Sequence, residues 1–336
     1  MSFKKIAIIF GTRPEVIKLY PVYLELQNRN IQTILISTGQ QKHLVEDTLL
    51  SLKLTPNFEL DLMTENQSPS EFLSRATSSL SELFDTFTPD LVLVQGDTLS
   101  AYAGAQAGYF ARIQVGHVEA GLRSHSLYSP WPEEGIRRAI DSFSNFLWVP
   151  TESDFISHEP DQRCLVTGNT VVDALRIISR PPEKFIANNK SILVTLHRRE
   201  SFGEVMTSAI RELIKYQNLT KYNMTFIQHP NPNVLKSLNE ADIWSSSINV
   251  VPPIPYVDFI QELSRYDLLI TDSGGLQEEA TVLGIPTIIL RETTERNSAV
   301  TPGRSKLSAP NGASIESDAQ ELLENRPVQN DSQFEF

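Results

Sequence analysis

Carboxylates punctuate the stretch from Gly96 to Asp141. Asp97 lies in Gly96-Asp97-Thr98, Glu119 in His117-Val118-Glu119-Ala120-Gly121-Leu122-Arg123, and Glu133 and Glu134 directly follow Pro132. Each group comes after a segment that reads as a strand or tight loop, such as Leu91 to Val94 or Ile113 to Val115, and not along a solvated helix face. Enzymes of the α/β class put their sites at such strand ends, so these acids read as proton-transfer groups.

A second kind of chemistry is anion binding. Gly11-Thr12-Arg13-Pro14 follows the first apolar run, where a glycine permits close backbone approach and Arg13 offers a planar fork for phosphate or carboxylate. His197-Arg198-Arg199 follows Ile192 to Leu196, and Asp272-Ser273-Gly274-Gly275 opens a helix whose first amides point at any anion placed there. A helix terminus adds about 0.3 to 1 kcal/mol for a surface charge, and a charge-assisted hydrogen bond about 1.5 to 3 kcal/mol. A diphosphate therefore needs several such donors, and three in equivalent positions weigh more than any one. Neither a Walker A motif nor Gly-x-Gly-x-x-Gly is present, which argues against a P-loop nucleotidase and an ordinary NAD domain.

The elements that must position these groups form a βαβ rhythm. Apolar runs at Ile6 to Phe10, Thr33 to Ile36, Leu91 to Val94, Ile113 to Val115 and Leu147 to Val149 predict one parallel sheet. Those at Ile192 to Thr195, Met224 to Ile227, Ile248 to Val250, Leu268 to Thr271 and Thr287 to Leu290 predict a second. Pro181-Pro182 and the polar residues after it interrupt the pattern and place a hinge near Thr170 to Lys190. Pro14-Glu15 and Ser68-Pro69-Ser70-Glu71 are helix starts. Asn325 to Phe336 has little apolar periodicity and reads as a loose tail.

Composition narrows the functional classes. The 336 residues carry 29 basic and 41 acidic side chains, a formal net charge of -12 that opposes nonspecific binding to nucleic acid or anionic membranes. The one cysteine, Cys164, excludes an intramolecular disulfide and a cysteine-rich metal site, and points to a reducing, cytoplasmic compartment. Ile6 to Phe10 is too short for a signal peptide and reads as a first strand, and no apolar run approaches the roughly 18 residues of a spanning helix.

Taken together, Gly11-Thr12-Arg13-Pro14-Glu15, Gly96-Asp97-Thr98, Gly116 to Arg123, Pro132-Glu133-Glu134, Thr167-Gly168-Asn169-Thr170, His197 to Glu200, His229-Pro230-Asn231-Pro232, Thr271 to Glu279 and Thr294-Glu295-Arg296 resemble UDP-N-acetylglucosamine 2-epimerases, most closely the non-hydrolysing bacterial type. The resemblance runs in order over residues 4 to 310. It implies an α/β protein of two Rossmann-like domains with a central interdomain cleft, the GT-B-type architecture of many glycosyltransferases. The expected division is residues 1–170, carrying the acid/base carboxylates, residues 171–310, binding UDP, and a short tail over 311–336.

The resemblance implies an isomerase that interconverts UDP-GlcNAc and UDP-ManNAc by eliminating UDP to a glycal-like intermediate and adding it back, in the service of polysaccharide synthesis. It makes Asp97, Glu119 and Glu133 the acid/base groups and adds His197, beside the diphosphate, to the catalytic set. Arg13, Lys18, Arg123, Ser273, Gly274, Gly275, Glu279 and Arg296 match substrate-binding positions, with Glu279 an acceptor for ribose hydroxyls. Gln40, Glu134, Arg198 and His229 match a site for a second UDP-GlcNAc acting as activator. The family implies a homodimer and neither cofactor nor metal.

The chain departs from the family pattern at Gln40-Gln41, at Glu134-Gly135-Ile136-Arg137 and at Arg296-Asn297-Ser298. Read without the resemblance, Asp97 is a helix cap, Glu133 and Glu134 are first-turn acids, His117 and His229 are core or loop histidines, and Arg198 and Arg199 pair with Glu200. Competing functions are a hydrolysing epimerase releasing ManNAc and UDP, a GT-B glycosyltransferase, and a non-catalytic UDP-sugar sensor.

Overall fold

The structure, a computed structural model, describes residues 3–64, 67–124, 126–128, 130–156, 159–179, 189–292 and 304–324. The chain divides into two compact units between Ile177 and Ile178. In the first, β1 (Lys5–Phe10), α1 (Arg13–Asn28), β2 (Gln32–Ser37), α2 (Lys42–Leu52), β3 (Phe58–Glu59), α3 (Pro69–Phe87) and β4 (Leu91–Gln95) come first. They are followed by α4 (Leu99–Phe110), β5 (Gln114–Val118), α5 (Glu133–Phe143), β6 (Phe146–Val149), β7 (Arg163–Val166) and α6 (Thr170–Ile178).

The second unit contains β8 (Ser191–Thr195), α7 (Glu204–Thr220), β9 (Asn223–Ile227), α8 (Pro232–Glu240), β10 (Asn249–Val251) and α9 (Tyr256–Leu263). It continues with β11 (Leu268–Thr271), α10 (Gly274–Val282), β12 (Thr287–Leu290), β13 (Ser305–Ser308) and α11 (Ile315–Glu324). The first sheet is ordered β3-β2-β1-β4-β5-β6-β7 and the second β10-β9-β8-β11-β12-β13, with parallel pairing throughout. Both orders reverse beside their first strand, between β1 and β4 and between β8 and β11, and the crevice beyond such a reversal is where doubly wound sheets bind ligands.

Continuous burial of Ile6 to Phe10, Leu91 to Gln95 and Leu268 to Thr271 follows from helices covering both sheet faces. Each unit has its own core, one around Ile9, Phe72, Leu80 and Val94, the other around Ile210, Phe226, Ile270 and Ile288. α4 is lined with fully buried Ala101, Ala103, Ala105 and Ala107, small enough to lie between α3 and α5 on the sheet.

Three strands carry no clear apolar run and were not anticipated. β7 lies at a sheet edge with Leu165 54% exposed, β13 is the polar Ser-Lys-Leu-Ser, and β3 has two residues. The segment 311–336, expected as a tail, requires correction over its first half. α11 folds with Ile315, Ala319, Leu322 and Leu323 buried in the second core. Its apolar spacing at i, i+4, i+7 and i+8 is that of an amphipathic helix. The expected boundary at residue 170 falls at the start of α6, which stays with the first unit up to Ile177.

Candidate active site

In the first unit a buried carboxyl occupies the reversal point. Glu15, in the first turn of α1, closes a capping box with Thr12. Its Oε2 accepts from Gly11 N–H at 2.9 Å, Thr12 N–H at 2.7 Å and Thr12 Oγ1 at 2.8 Å, and its Oε1 accepts from Thr98 Oγ1 at 2.7 Å. Burial outweighs these four donors and raises its pKa to about 7. Gly11 is required here, because a Cβ would lie 2.1 Å from Ser100 Oγ and 2.2 Å from Thr38 Oγ1. Those two hydroxyls bond each other at 2.7 Å, and Ser100 Oγ also donates to Gln40 Oε1 at 2.6 Å. Arg13 is exposed at the start of α1.

Asp97 and Glu119 follow neighbouring strands. β4 and β5 pair in register with Gln95 opposite Val118, and Gly96 N–H donates to Val118 O at 3.1 Å. Gly96 has φ +71°, and its Cβ position lies 4.0 Å from Glu119 Oε2. Glu119 itself has φ +63°, the left-handed region that a residue with a Cβ enters only under constraint and that clusters at functional sites. Lys18 Nζ lies 2.6 Å from both Glu119 carboxylate oxygens, and Gln95 Nε2 also donates to Oε2. Asp97 is not the helix cap. Thr98 takes that role, accepting Ala101 N–H at 3.0 Å, and leaves the Asp97 carboxylate to pair with Arg137 Nη2.

α5 supplies the other partners. Arg137 Nη1 reaches Glu134 Oε2 at 3.0 Å, Arg138 Nε reaches Glu134 Oε1 at 2.6 Å, and Ser124 N–H donates to Oε2 at 2.9 Å. Burial opposes ionisation of Glu134, but the Ser124 amide and the two arginines outweigh it and hold its carboxyl below the usual range. Glu134 is fully buried and is counter-ion to both Arg137 and Arg138. Glu133, one residue earlier, has a buried Oε2 with no hydrogen-bond partner among the described residues. A buried carboxylate oxygen left without a partner is costly to keep unless something else completes it.

Arg123, expected to bind substrate, pairs with Asp141. Its Nη2 lies 2.7 Å from Asp141 Oδ2, and Asp141 Oδ1 lies 2.6 Å from His117 Nδ1. His117 Nε2 is 2.8 Å from Gly96 O. Burial pushes the Asp141 carboxyl up, but His117 and then Arg123 outweigh it and keep it low. His117 is thus a buried structural histidine at the back of the Asp97 turn. Glu15, Gln95, Arg137 and Asp141 were not among the expected site residues. Only Glu15, three residues beyond Thr12, carried a signal, that of a capping box.

In the second unit the buried carboxyl at the reversal point is Asp272. It follows β11 and accepts His197 N–H at 3.0 Å and Arg198 N–H at 2.9 Å from the loop after β8. Burial raises its pKa against those donors and the His197 ring, whose Nδ1 is 3.6 Å away. The His197 and His229 rings stack with centroids 5.2 Å apart, and burial and then His197 lower the pKa of His229. Arg198 pairs with Glu200 at 3.0 Å. Ser273 precedes α10, which opens with Gly274 and Gly275, and Glu279 on that helix accepts the Tyr256 hydroxyl at 2.6 Å. Arg296 lies outside the described residues. Among the described residues no cluster of three or more His, Cys, Asp or Glu could hold a metal, and no helix is long and apolar enough to cross a membrane.

Two successive sheets of this order define a two-Rossmann-domain α/β enzyme. Spinosyn forosaminyltransferase shares that fold alone, with a TM-score of 0.59 at 14% identity over 96% of this chain and 91% of its own. The chain belongs to the UDP-N-acetylglucosamine 2-epimerase family, whose model matches residues 24–335. It is 38% identical to the UDP-N-acetylglucosamine 2-epimerase of Neisseria meningitidis serogroup A over 95% of this chain and 91% of that protein. The crystal structure of UDP-GlcNAc 2-epimerase from Neisseria meningitidis, bound to UDP-GlcNAc, has a TM-score of 0.79 at 34% identity, covering 97% and 95% of the two chains.

Proposed function

We propose that this chain interconverts UDP-GlcNAc and UDP-ManNAc, or a close UDP-2-acetamido sugar, without releasing free sugar. A carboxylate takes the C2 proton, the C1–O bond breaks with its electron pair leaving on UDP, and a C1=C2 double bond forms. UDP oxygen then attacks C1 while a proton is delivered to C2 from the opposite face. Inversion needs groups on both faces because one carboxylate cannot return its proton to the other side, and Asp97, Glu119 and Glu133 are our candidates. Holding the charge that develops on the leaving diphosphate is assigned to Arg13, His197, the Ser273-Gly274-Gly275 turn and Arg296.

The observation that carries this reading is the pairing of Asp97 and Glu119 at neighbouring strand ends, each held by its own cation, Arg137 or Lys18. Family membership supplies the sugar nucleotide. The test is incubation with UDP-GlcNAc in deuterated water, followed by NMR. Deuterium at C2 with appearance of the manno epimer is expected. Absence of exchange together with acceptor-dependent UDP release would replace this reading with a glycosyltransferase, and binding without any turnover would replace it with a sensor.

A cytoplasmic location and a homodimer belong to the same proposal, supported by the single cysteine and by the family. Activation by a second UDP-GlcNAc at Gln40, Glu134, Arg198 and His229 predicts that conversion starting from UDP-ManNAc alone shows a lag that added UDP-GlcNAc abolishes. A reaction that starts at full rate from UDP-ManNAc would remove the activator from the proposal.

A further inference from the structure

We propose that Glu15 is a positioning residue, a buried strut that fixes the Asp97 turn against the loop after β1. The inference rests on the reading of Asp97 as an acid/base group and adds a residue to the machinery that serves it. Its basis is geometric. The Glu15 carboxyl is fully buried and divides its oxygens between two strand-end loops. Oε2 takes the amides of Gly11 and Thr12 and the Thr12 hydroxyl, and Oε1 takes the hydroxyl of Thr98. Thr98 adjoins Asp97 and in turn caps α4 through Ala101 N–H. A chain of hydrogen bonds therefore runs from β1 through Glu15 to the residue next to Asp97.

Ordinary capping does not require this arrangement. A capping box on α1 is complete with Thr12 and one carboxylate oxygen; the second oxygen is turned to a residue 83 positions away, on the neighbouring strand's loop. The same helix turn carries Lys18, three residues on, whose ammonium holds Glu119. The first turn and a half of α1 thus sets Asp97 through Thr98 and Glu119 through Lys18, and fixes the separation of two carboxylates that belong to different strands. The side chain is sealed from solvent, so Glu15 itself meets no substrate, and its effect on the reaction passes through the Thr98 hydroxyl.

The test compares kcat and KM for UDP-GlcNAc in Glu15→Met, Glu15→Gln, Thr98→Val and Thr98→Ser, with thermal melting to establish that each variant is folded at the assay temperature. Asp97→Asn is assayed beside them. Methionine at 15 or valine at 98 breaks the strut, and a displacement of the carboxylate near 1 Å costs roughly 100-fold in rate. We expect kcat to fall by that order with KM little changed. Glu15→Gln, whose amide oxygen can accept the Gly11 and Thr12 amides while its nitrogen donates to Thr98, and Thr98→Ser, which keeps the hydroxyl, should both restore most of the rate.

Folded Glu15→Met and Thr98→Val enzymes with wild-type kcat would overturn the proposal. So would a loss of rate that serine at 98 fails to restore. If Asp97→Asn retains full turnover, the assignment of Asp97 falls first and takes the strut with it. Inactive Asp97→Asn beside fully active strut variants sinks the strut alone.

Discussion

Lys18 and Glu119 form an ion pair in which the ammonium is equidistant, at 2.6 Å, from both carboxylate oxygens, with each side chain only 11% exposed. The pair joins the first helix to a residue held in the left-handed backbone region after β5. Lys18→Met should leave that carboxylate desolvated and without its cation. Removing one partner of a buried pair costs on the order of 3 kcal/mol in stability, and loss of a preorganised charge partner costs about 100-fold in rate. Urea unfolding and steady-state kinetics of Lys18→Met check both. A variant with unchanged rate would make the pair purely structural.

Arg137 bridges Asp97 and Glu134 from the first turns of α5. Arg137→Met is expected to slow epimerisation about as much as Asp97→Asn, because Asp97 loses the group that orients it. Arg138→Met, which removes only an outer partner of Glu134, should cost less than about threefold. Kinetics of the three variants measured together decide the order, and equal losses in both arginine variants would reject it.

Glu15 predicts a pH dependence of stability. Its carboxyl is raised from 4.5 to about 7 by burial, against its four donors. Below the unfolded value both states hold the proton and the fold keeps its full stability. As pH rises through the window from 4.5 to about 7, the unfolded chain releases the proton while the fold retains it, and stability falls by up to about 3 kcal/mol. Glu15→Gln has no proton to lose. The difference in unfolding free energy between wild type and Glu15→Gln, measured at pH 5 and pH 8, should therefore move towards the variant at the higher pH. A difference that stays constant would mean that the amide and hydroxyl donors hold Glu15 ionised throughout.

Leu322, 1% exposed on α11, tests whether this helix belongs to the second core. Leu322→Ala should destabilise the protein by about 3 kcal/mol, read as a lower denaturation midpoint. A change below about 0.5 kcal/mol would return the segment to the status of a dispensable tail.

Much of the scaffold was legible because its signals are local. The ten apolar runs bounded by glycine, proline or aspartate each became a strand, since parallel sheets covered on both faces demand continuous burial. β7 and β13 stayed hidden for the same reason: at sheet edges the pressure for apolar side chains is relaxed. Asp97 and Glu119 stood out because they interrupt apolar runs. Arg137 did not, since an arginine on a helix usually faces water, and only the packing of α5 beside β5 gives it Asp97 as a partner.

The amino-acid sequence by itself determined the two parallel sheets, the acids at the strand ends of the first, the glycine and histidine turns at the strand ends of the second and the family. Each of these rests on spacing within a short stretch of chain. Tertiary structure alone decided which charges meet. Lys18 and Glu119 are 101 residues apart, Arg137 and Asp97 are 40 apart, and Glu15 and Thr98 are 83 apart. Such partners are chosen by the order of strands in the sheet, which brings the ends of β1, β4 and β5 side by side. Burial then makes each pairing costly to leave incomplete, whereas in an extended chain the same side chains would simply be hydrated.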